Sequence, residues 1–402
     1  MKQSKHNIYY SPKEVRTILE RSIDTALDGL KCYCNDPVSD FTRCRKLPAR
    51  SLIECIMSFS NYSSIGELSH FFVGQGEMPS ASALSQRRQL LDPDIFKRIN
   101  NLFVSAFDDH TTINGYHILA QDGSDVNIPF MDDKTKTEKH DAKSFCQYHV
   151  NALYDCLNKV FYDWSIDAAS KKREVNALIS ILKDRNYPQN SIFTADRGYE
   201  SYNLMAHFIE NDIKFVIRVK DIHTKSGLMT NIKTEEGAFD IRVTRTLTSL
   251  QTKEIKADKE KYIFVPSTSN FDFLDETRDL YDLSFRAVRF KISEDTYETV
   301  VTNLSEEEFK TEDFKELYHY RWNEETAFNK LKYTIGLVYF HARKRKLIQQ
   351  EINAAFLMYN VSEVIIRNIY LKKNKKPELE YDYKPNFSSA VTNIRLYLRK
   401  KI

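Results

Sequence analysis

The chain has 402 residues, of which 42% are hydrophobic and 29% charged, with a formal net charge of +3. This is an ordinary soluble globular composition, long enough for two or three domains with ample core. No apolar run reaches membrane-spanning length and the N-terminal MKQSKHNIYYSPKE lacks the apolar stretch of a secretory signal, so no membrane partner and a cytoplasmic location are expected.

Residues 1–112 read as helical. Ser11-Pro12-Lys13-Glu14 is a capping box with proline at the first helical position, opening a helix to about Leu30. Cys32, Cys34, Cys44 and Cys55 surround the polar loop that follows. Their spacing does not match paired zinc knuckles and no histidine lies among them, so reduced thiols are expected. A second helix covers Arg50–Ser60, and Ser64-Ile65-Gly66-Glu67 reads as a further capping box for a short helix to about Phe72. After a glycine-bearing turn comes a helix over Ala83–Leu91, and Asp92-Pro93 caps the next, to about Phe107. A turn followed by a helix bearing Gln86, Arg87 and Arg88 fits two arrangements. One is a helix-turn-helix reader of a DNA major groove; the other is a helical bundle whose polar positions face water.

From Gly115 the period changes to that of strands. Tyr116–Ala120 is an apolar strand running into Gln121-Asp122-Gly123-Ser124. After a charged excursion over residues 132–142, Gln147–Tyr154 and Val160–Ile166 are β-rich. Lys171–Lys183 is an amphipathic helix, Ser191–Ala195 a short strand running into Asp196-Arg197-Gly198-Tyr199, Tyr202–Glu210 a helix and Lys214–Lys220 a strand. Asp221 to about Asp295 holds short alternating runs and no long helix, which predicts a β-rich insertion. Tyr297–Leu304 then returns to the main sheet.

Thr311–Leu337 reads as one proline-free helix with Thr311 as N-cap and Gly336 after its last turn. Phe314, Leu317, Phe328, Leu331 and Ile335 share its apolar face. Beside them Tyr318, Arg321, Glu325 and Lys332 fall within an arc of about 60°. That stripe fits a tertiary ion-pair face, with Glu325 answering Arg321, or a carboxylate metal ligand flanked by phosphate-binding cations. Downstream, a basic turn holds His341, Arg343 and Lys344, and Gln350–Tyr370 is a largely apolar helix. From Leu371 to Ile402, nine Lys and Arg against three acids give +6, so the remainder carries −3. A basic tail on a near-neutral body fits a polyanionic partner or plain solubilisation.

Asp122 and Asp196 each stand where an apolar strand meets a glycine-bearing turn, a position that holds a carboxylate at the rim of a sheet. With Glu325 they make a three-carboxylate set suited to Mg²⁺, or Mn²⁺ in its place, and to a two-ion phosphoryl displacement. Asp167 is the next candidate acid, and Glu324 points about 100° away from the stripe.

These motifs in order resemble the DDE transposases of bacterial insertion sequences, in particular the group with an all-β insertion before the catalytic Glu (insertion sequence family four). The signature Tyr, two residues, Arg, three residues, Glu, six residues, Lys is met by Tyr318, Arg321, Glu325 and Lys332. Gln121-Asp122-Gly123-Ser124, Asp196 to Tyr199 and Thr302 to Leu304 match its other motifs, so the resemblance spans about residues 80 to 365. It implies an α/β, RNase H-like mixed-sheet core in two parts, 113–221 and 297–370, interrupted by the β-rich insertion 222–296. A helical DNA-binding region, 1–112, precedes the core, and a helical, basic C-terminal region, 371–402, follows it. It also implies two Mg²⁺ ions on Asp122, Asp196 and Glu325, a homodimer on double-stranded DNA carrying terminal inverted repeats, and nicking followed by strand transfer at the nucleoid. Tyr318, Arg321, Lys332, Arg197, Arg87, Arg88, His341, Arg343 and Lys344 are the expected DNA contacts. Other readings of the same residues are a structure-specific endonuclease that cuts without joining, and a DNA-binding protein that has lost catalysis.

Overall fold

Among the described residues five α-helices come first, as the helical reading of residues 1–112 predicts. The computed structural model describes the chain apart from residues 5–7, 44, 75, 109, 140–141, 170–173, 223, 225, 267, 270, 295, 374–384 and 400–402. Cys44, the start of the Lys171 helix, and Lys375, Lys376, Lys384, Lys400 and Lys401 of the basic tail therefore lie outside the described residues. In α1 (Pro12–Asp28) the Ser11 side chain accepts from the Glu14 amide while the Glu14 carboxylate accepts from the Ser11 amide, closing the capping box. Then follow α2 (Ala49–Met57), α3 (Ser64–Phe72), α4 (Ala81–Leu90) and α5 (Asp94–Val104).

Two readings of this region are corrected. The cap of α3 is Ser63, and Glu67 closes no capping box: it is fully buried, accepting from the amides of Ser60 and Tyr62. Nor does α4 present Arg87 and Arg88 to a groove. Arg88 is buried, donating to the Leu347 carbonyl and to Glu351, and Arg87 donates to the Leu47 carbonyl with its guanidinium over the Phe41 ring. Arg88 turns inward because the helix over residues 345–373 supplies acceptors beneath it, whereas half-buried Arg87 is held by the segment just before α2.

The β region forms a mixed sheet built on β1 (His117–Ile128), β2 (Lys136–Lys139), β3 (Ala142–Asp155), β4 (Val160–Ala168), β5 (Ser191–Ala195) and β6 (Lys214–Val219). β4, β3 and β1 are antiparallel neighbours, and β5 and β6 continue the sheet in parallel from β1. Three antiparallel strands extended by two parallel ones is the RNase H-like arrangement. Between these strands lie α6 (Glu174–Asp184), which packs on β1, β3 and β4, and α7 (Tyr202–Glu210), which packs on β6.

The insertion contains β7 (Phe239–Thr248), the short helix α8 (Lys253–Ala257), β8 (Tyr262–Phe264) and β9 (Leu280–Ser293). It does not fold aside. β10 (Thr296–Thr302) pairs with β6 on one side and β9 on the other, so β9, β7 and β8 extend the core sheet.

Next come α9 (Asp313–His319) and α10 (Trp322–Asn329), then a π-helical turn over Lys330–Ile335 that stops at Gly336, whose φ is +105°. α11 (Arg345–Lys373) is the central core helix, with Trp164 of β4 stacked on its Phe356 at 4.4 Å and Trp164 Nε1 donating to Asn353. No described helix is long and apolar enough to cross a membrane. The basic C-terminal stretch carries α12 (Phe387–Arg399), which is no loose tail. Val391 and Ile394 are buried, Arg395 donates to the Ile335 carbonyl, and Arg399 donates to the Ser58 carbonyl.

Candidate active site

β1 and β5 pair in parallel as far as Gln121 and Ala195, and each delivers a carboxylate one residue later. Asp122 does not end its strand, because β3 goes on pairing with β1 through Ile128. Asp196 leaves the sheet and caps a 3₁₀ turn over Arg197–Tyr199, with Oδ1 accepting from the Gly198 amide at 2.8 Å. The Asp122 carboxylate accepts from the Gly123 amide at 2.8 Å. The third acid, Glu325, lies on α10, which packs on β1; its side chain is 43% exposed.

Arg321 ties the group together. Its side chain is 3% exposed, with Nη2 donating to Glu325 at 3.0 Å and Nη1 to Asp122 at 3.4 Å. Burial raises the Asp122 carboxyl above the usual carboxylate range. The Gly123 amide and Arg321 pull it down, and the charges of Asp196 and Glu325 push it up again. The three acids therefore share one electrostatic neighbourhood. The Arg321 guanidinium is penalised by burial, but the charges around it hold it firmly protonated.

The helix carrying Glu325 departs from the single helix expected. Between α9 and α10 the amides of Arg321, Asn323 and Glu324 bond three residues back, to Tyr318, Tyr320 and Arg321. Each such step turns the chain about 120° instead of about 100°. Tyr318 and Arg321 consequently point inward: Tyr318 is buried, with Arg218 and Arg321 near its ring. Neither side chain is a surface phosphate contact, and the ion-pair reading of Arg321 with Glu325 holds beside the carboxylate cluster. Glu324 does not face away. It is fully buried, and desolvation first, then the Asp122 charge, lift its carboxyl well above the usual range.

Among the other expected contacts, His341 is enclosed between Glu351 and Glu67 and does not reach the surface. Arg197, Arg343 and Lys344 are exposed. Lys332 is half-buried; desolvation pushes its ammonium down and the Asp125 charge pulls it up. Asp167 is exposed and accepts from the Ser165 hydroxyl. A second group beside the acids has no counterpart in the expected set. His149 of β3, fully buried, lies 2.6 Å from Asp125 of β1 and 3.2 Å from Glu174 of α6. One signal marks it in the sequence: Gln147, His149 and Asn151 alternate with apolar residues, a polar stripe along a core strand.

Asp122, Asp196 and Glu325 offer only oxygen donors, the chemistry of a hard divalent cation. Among the described residues no group of three or more His, Cys, Asp or Glu is drawn close enough to hold a metal ion as the side chains stand. The Arg321 guanidinium supplies the positive charge between Asp122 and Glu325.

A mixed sheet of this order defines a class, the RNase H-like fold, here with acids on β1, just after β5 and on a following helix. The family model described as the transposase DDE domain matches residues 113–361, more than half of the chain, and the chain belongs to that family. No curated protein matches it. Among solved structures, the cryo-EM structure of the piggyBac transposase synaptic complex with hairpin DNA is similar at 10% identity, over 98% of this chain and 81% of that one, with a TM-score of 0.48. A likeness of that size adds no argument to the family assignment.

Proposed function

We propose that the chain is a cut-and-paste DNA transposase that binds the terminal inverted repeats of an insertion sequence and carries out DNA cleavage and strand transfer with Asp122, Asp196 and Glu325. The observation that carries this reading is that adjacent strands deliver Asp122 and Asp196 in register while Arg321 joins Asp122 to Glu325, in a chain of the transposase family. Their all-oxygen set fits two Mg²⁺ ions, with Mn²⁺ as substitute. Held by Asp122, Asp196 and Glu325, such ions would supply activation of a water or 3′-hydroxyl and charge stabilisation for the leaving oxygen.

The chain's own residues do the rest. The Gly123 and Gly198 amides fix the two aspartates, and Arg321 holds Glu325 toward Asp122. The 3.4 Å contact of Arg321 with Asp122 is the looser of its two and is the one to yield when Asp122 takes up another partner. Exposed Arg197, Arg343 and Lys344, and half-buried Lys332, supply charge for DNA phosphates. A homodimer, in which two copies each hold one element end, completes the reaction.

The test is strand transfer. The full chain is incubated with duplex DNA carrying the sequences that flank its reading frame, a target duplex, and Mg²⁺ or Mn²⁺. Joined product supports the proposal. Cutting without joining identifies a nuclease, and binding without cutting a non-catalytic DNA-binding protein.

A further inference from the structure

A cavity of about 260 Å³ opens between α1, α2, α11 and α12 and shares no lining residue with the acid cluster. Leu19, Ile23, Met57, Phe71, Met358 and Leu398 give it an apolar wall. Arg395 and Arg399 line it as well. The other charged groups at its lining are already paired: Arg16 with Glu20, and Arg50 with Glu54 and Asp24.

The two C-terminal arginines belong to a buried charge cluster with an excess of cations. Arg88 pairs with Glu351 at 2.7 Å, and His341 bridges Glu351 and Glu67. Arg399 reaches Glu67 only at 3.8 Å. Arg88, His341, Arg395 and Arg399 thus face two carboxylates. Arg395 is 9% exposed; its Nη2 donates to the Ile335 carbonyl at 2.7 Å, and its Nε has no acceptor among the described residues. The Nε of Arg399 has none either. Burial pushes the Arg395 guanidinium down to about 10, with Glu67 raising it and Arg399 lowering it further, as befits a cation short of a counter-charge. A buried charge without a partner is costly, and an anion at the cavity's arginine end removes that cost.

We propose that this cavity is a binding site for a small organic carboxylate, its carboxylate accepting from Arg395 and Arg399 and its short apolar body lying against Leu19, Ile23 and Phe71. An apolar cavity of about 150 Å³ takes up benzene, so about 260 Å³ has room for a ring with a carboxylate, the size of benzoate. The site is independent of the DNA chemistry, yet its ligand would touch the arginine that holds the end of the π-helical turn following α10, the helix that bears Glu325.

The experiment titrates the full chain with benzoate, benzyl alcohol and inorganic phosphate, following heat and thermal unfolding, since a ligand that binds only the folded state raises the midpoint. Benzoate is expected to bind saturably and raise the midpoint while the other two do not, and Arg395→Met to weaken benzoate at least about tenfold. Methyl NMR of the wild type supplies a readout independent of that variant's folding: of seven methionines, the methyls of Met57 and Met358 should shift with benzoate. An equal response to benzyl alcohol overturns the role of the carboxylate, and an equal response to phosphate that of the apolar body. No saturable benzoate binding, undiminished binding by a folded Arg395→Met, or shifts confined to other methionines overturns the site.

Discussion

An alanine at position 123 would drive its Cβ into the ring of His149, which Asp125 and Glu174 hold in place. The glycine after the first acid is therefore a space requirement, linking Asp122 to the β3 strand behind it. Gly123→Ala should cost about 1–3 kcal/mol of stability and lower cleavage, because the Gly123 amide that holds Asp122 must shift. Removing the ring as well, in Gly123→Ala with His149→Ala, should cost less than the two single changes added together, read by denaturant unfolding. Strict additivity would mean that the contact does not limit the site.

His341 gives a second residue-scale prediction. Its side chain is 5% exposed, and desolvation lowers its imidazole pKa, but hydrogen bonds and charge from Glu351 and Glu67 outweigh this and raise it from 6.5 to about 9. A folded value above the unfolded one stabilises the protein fully below pH 6.5, and that stabilisation is lost as pH rises through about 9. The amount is about 3 kcal/mol. Unfolding measured across this window should show the loss in the wild type and not in His341→Gln; parallel curves for the two proteins would rule the assignment out.

At the scale of elements, what the sequence discloses depends on whether its signal is local. Asp122, Asp196 and Glu325 stand at local marks: the first two follow apolar runs and have a glycine one or two residues on, and the third lies at fixed spacing from Arg321. The inward turn of Tyr318 and Arg321 leaves no such mark. It arises from three hydrogen bonds that tighten residues 318–324, and a uniform helical wheel cannot register them. The strands of the insertion are legible from alternation, but their partners are not, because a strand's pattern sets its buried face and not its neighbour. That β9 pairs with β10, making one sheet, emerges only in three dimensions.

α12 falls in the region expected to be helical and basic, but its docking was not legible from charge: Phe387, Val391, Ile394 and Leu398 recur at helical spacing, and its two arginines turn to backbone carbonyls rather than to solvent. Ending the chain before residue 385 should therefore lower the unfolding midpoint, since it strips Arg395 from the Ile335 carbonyl and Arg399 from the Ser58 carbonyl. A truncated chain with unchanged midpoint and weaker DNA binding would return this segment to the status of a basic tail.

For the whole molecule, one sheet runs from β4 to β8 and carries the acids near its centre, with helical layers tied to it through α11. DNA affinity should rest on exposed cations and fall with salt. Changing Arg343 and Lys344 together to Gln should reduce the slope of log affinity against log salt by about 2, uniformly across sequences. A loss restricted to one sequence would assign them to base reading.

The claim on which the account rests is that Glu325 acts with Asp122 and Asp196 at one metal-dependent centre. Its most direct test is cleavage of end-bearing duplex DNA by wild type and Glu325→Gln, with Mg²⁺, with Mn²⁺ and with chelator, alongside DNA binding. Metal-dependent cutting at the element boundary that disappears in the variant while binding persists is the predicted result. Equal cutting by both proteins, or cutting that continues in chelator, would contradict it.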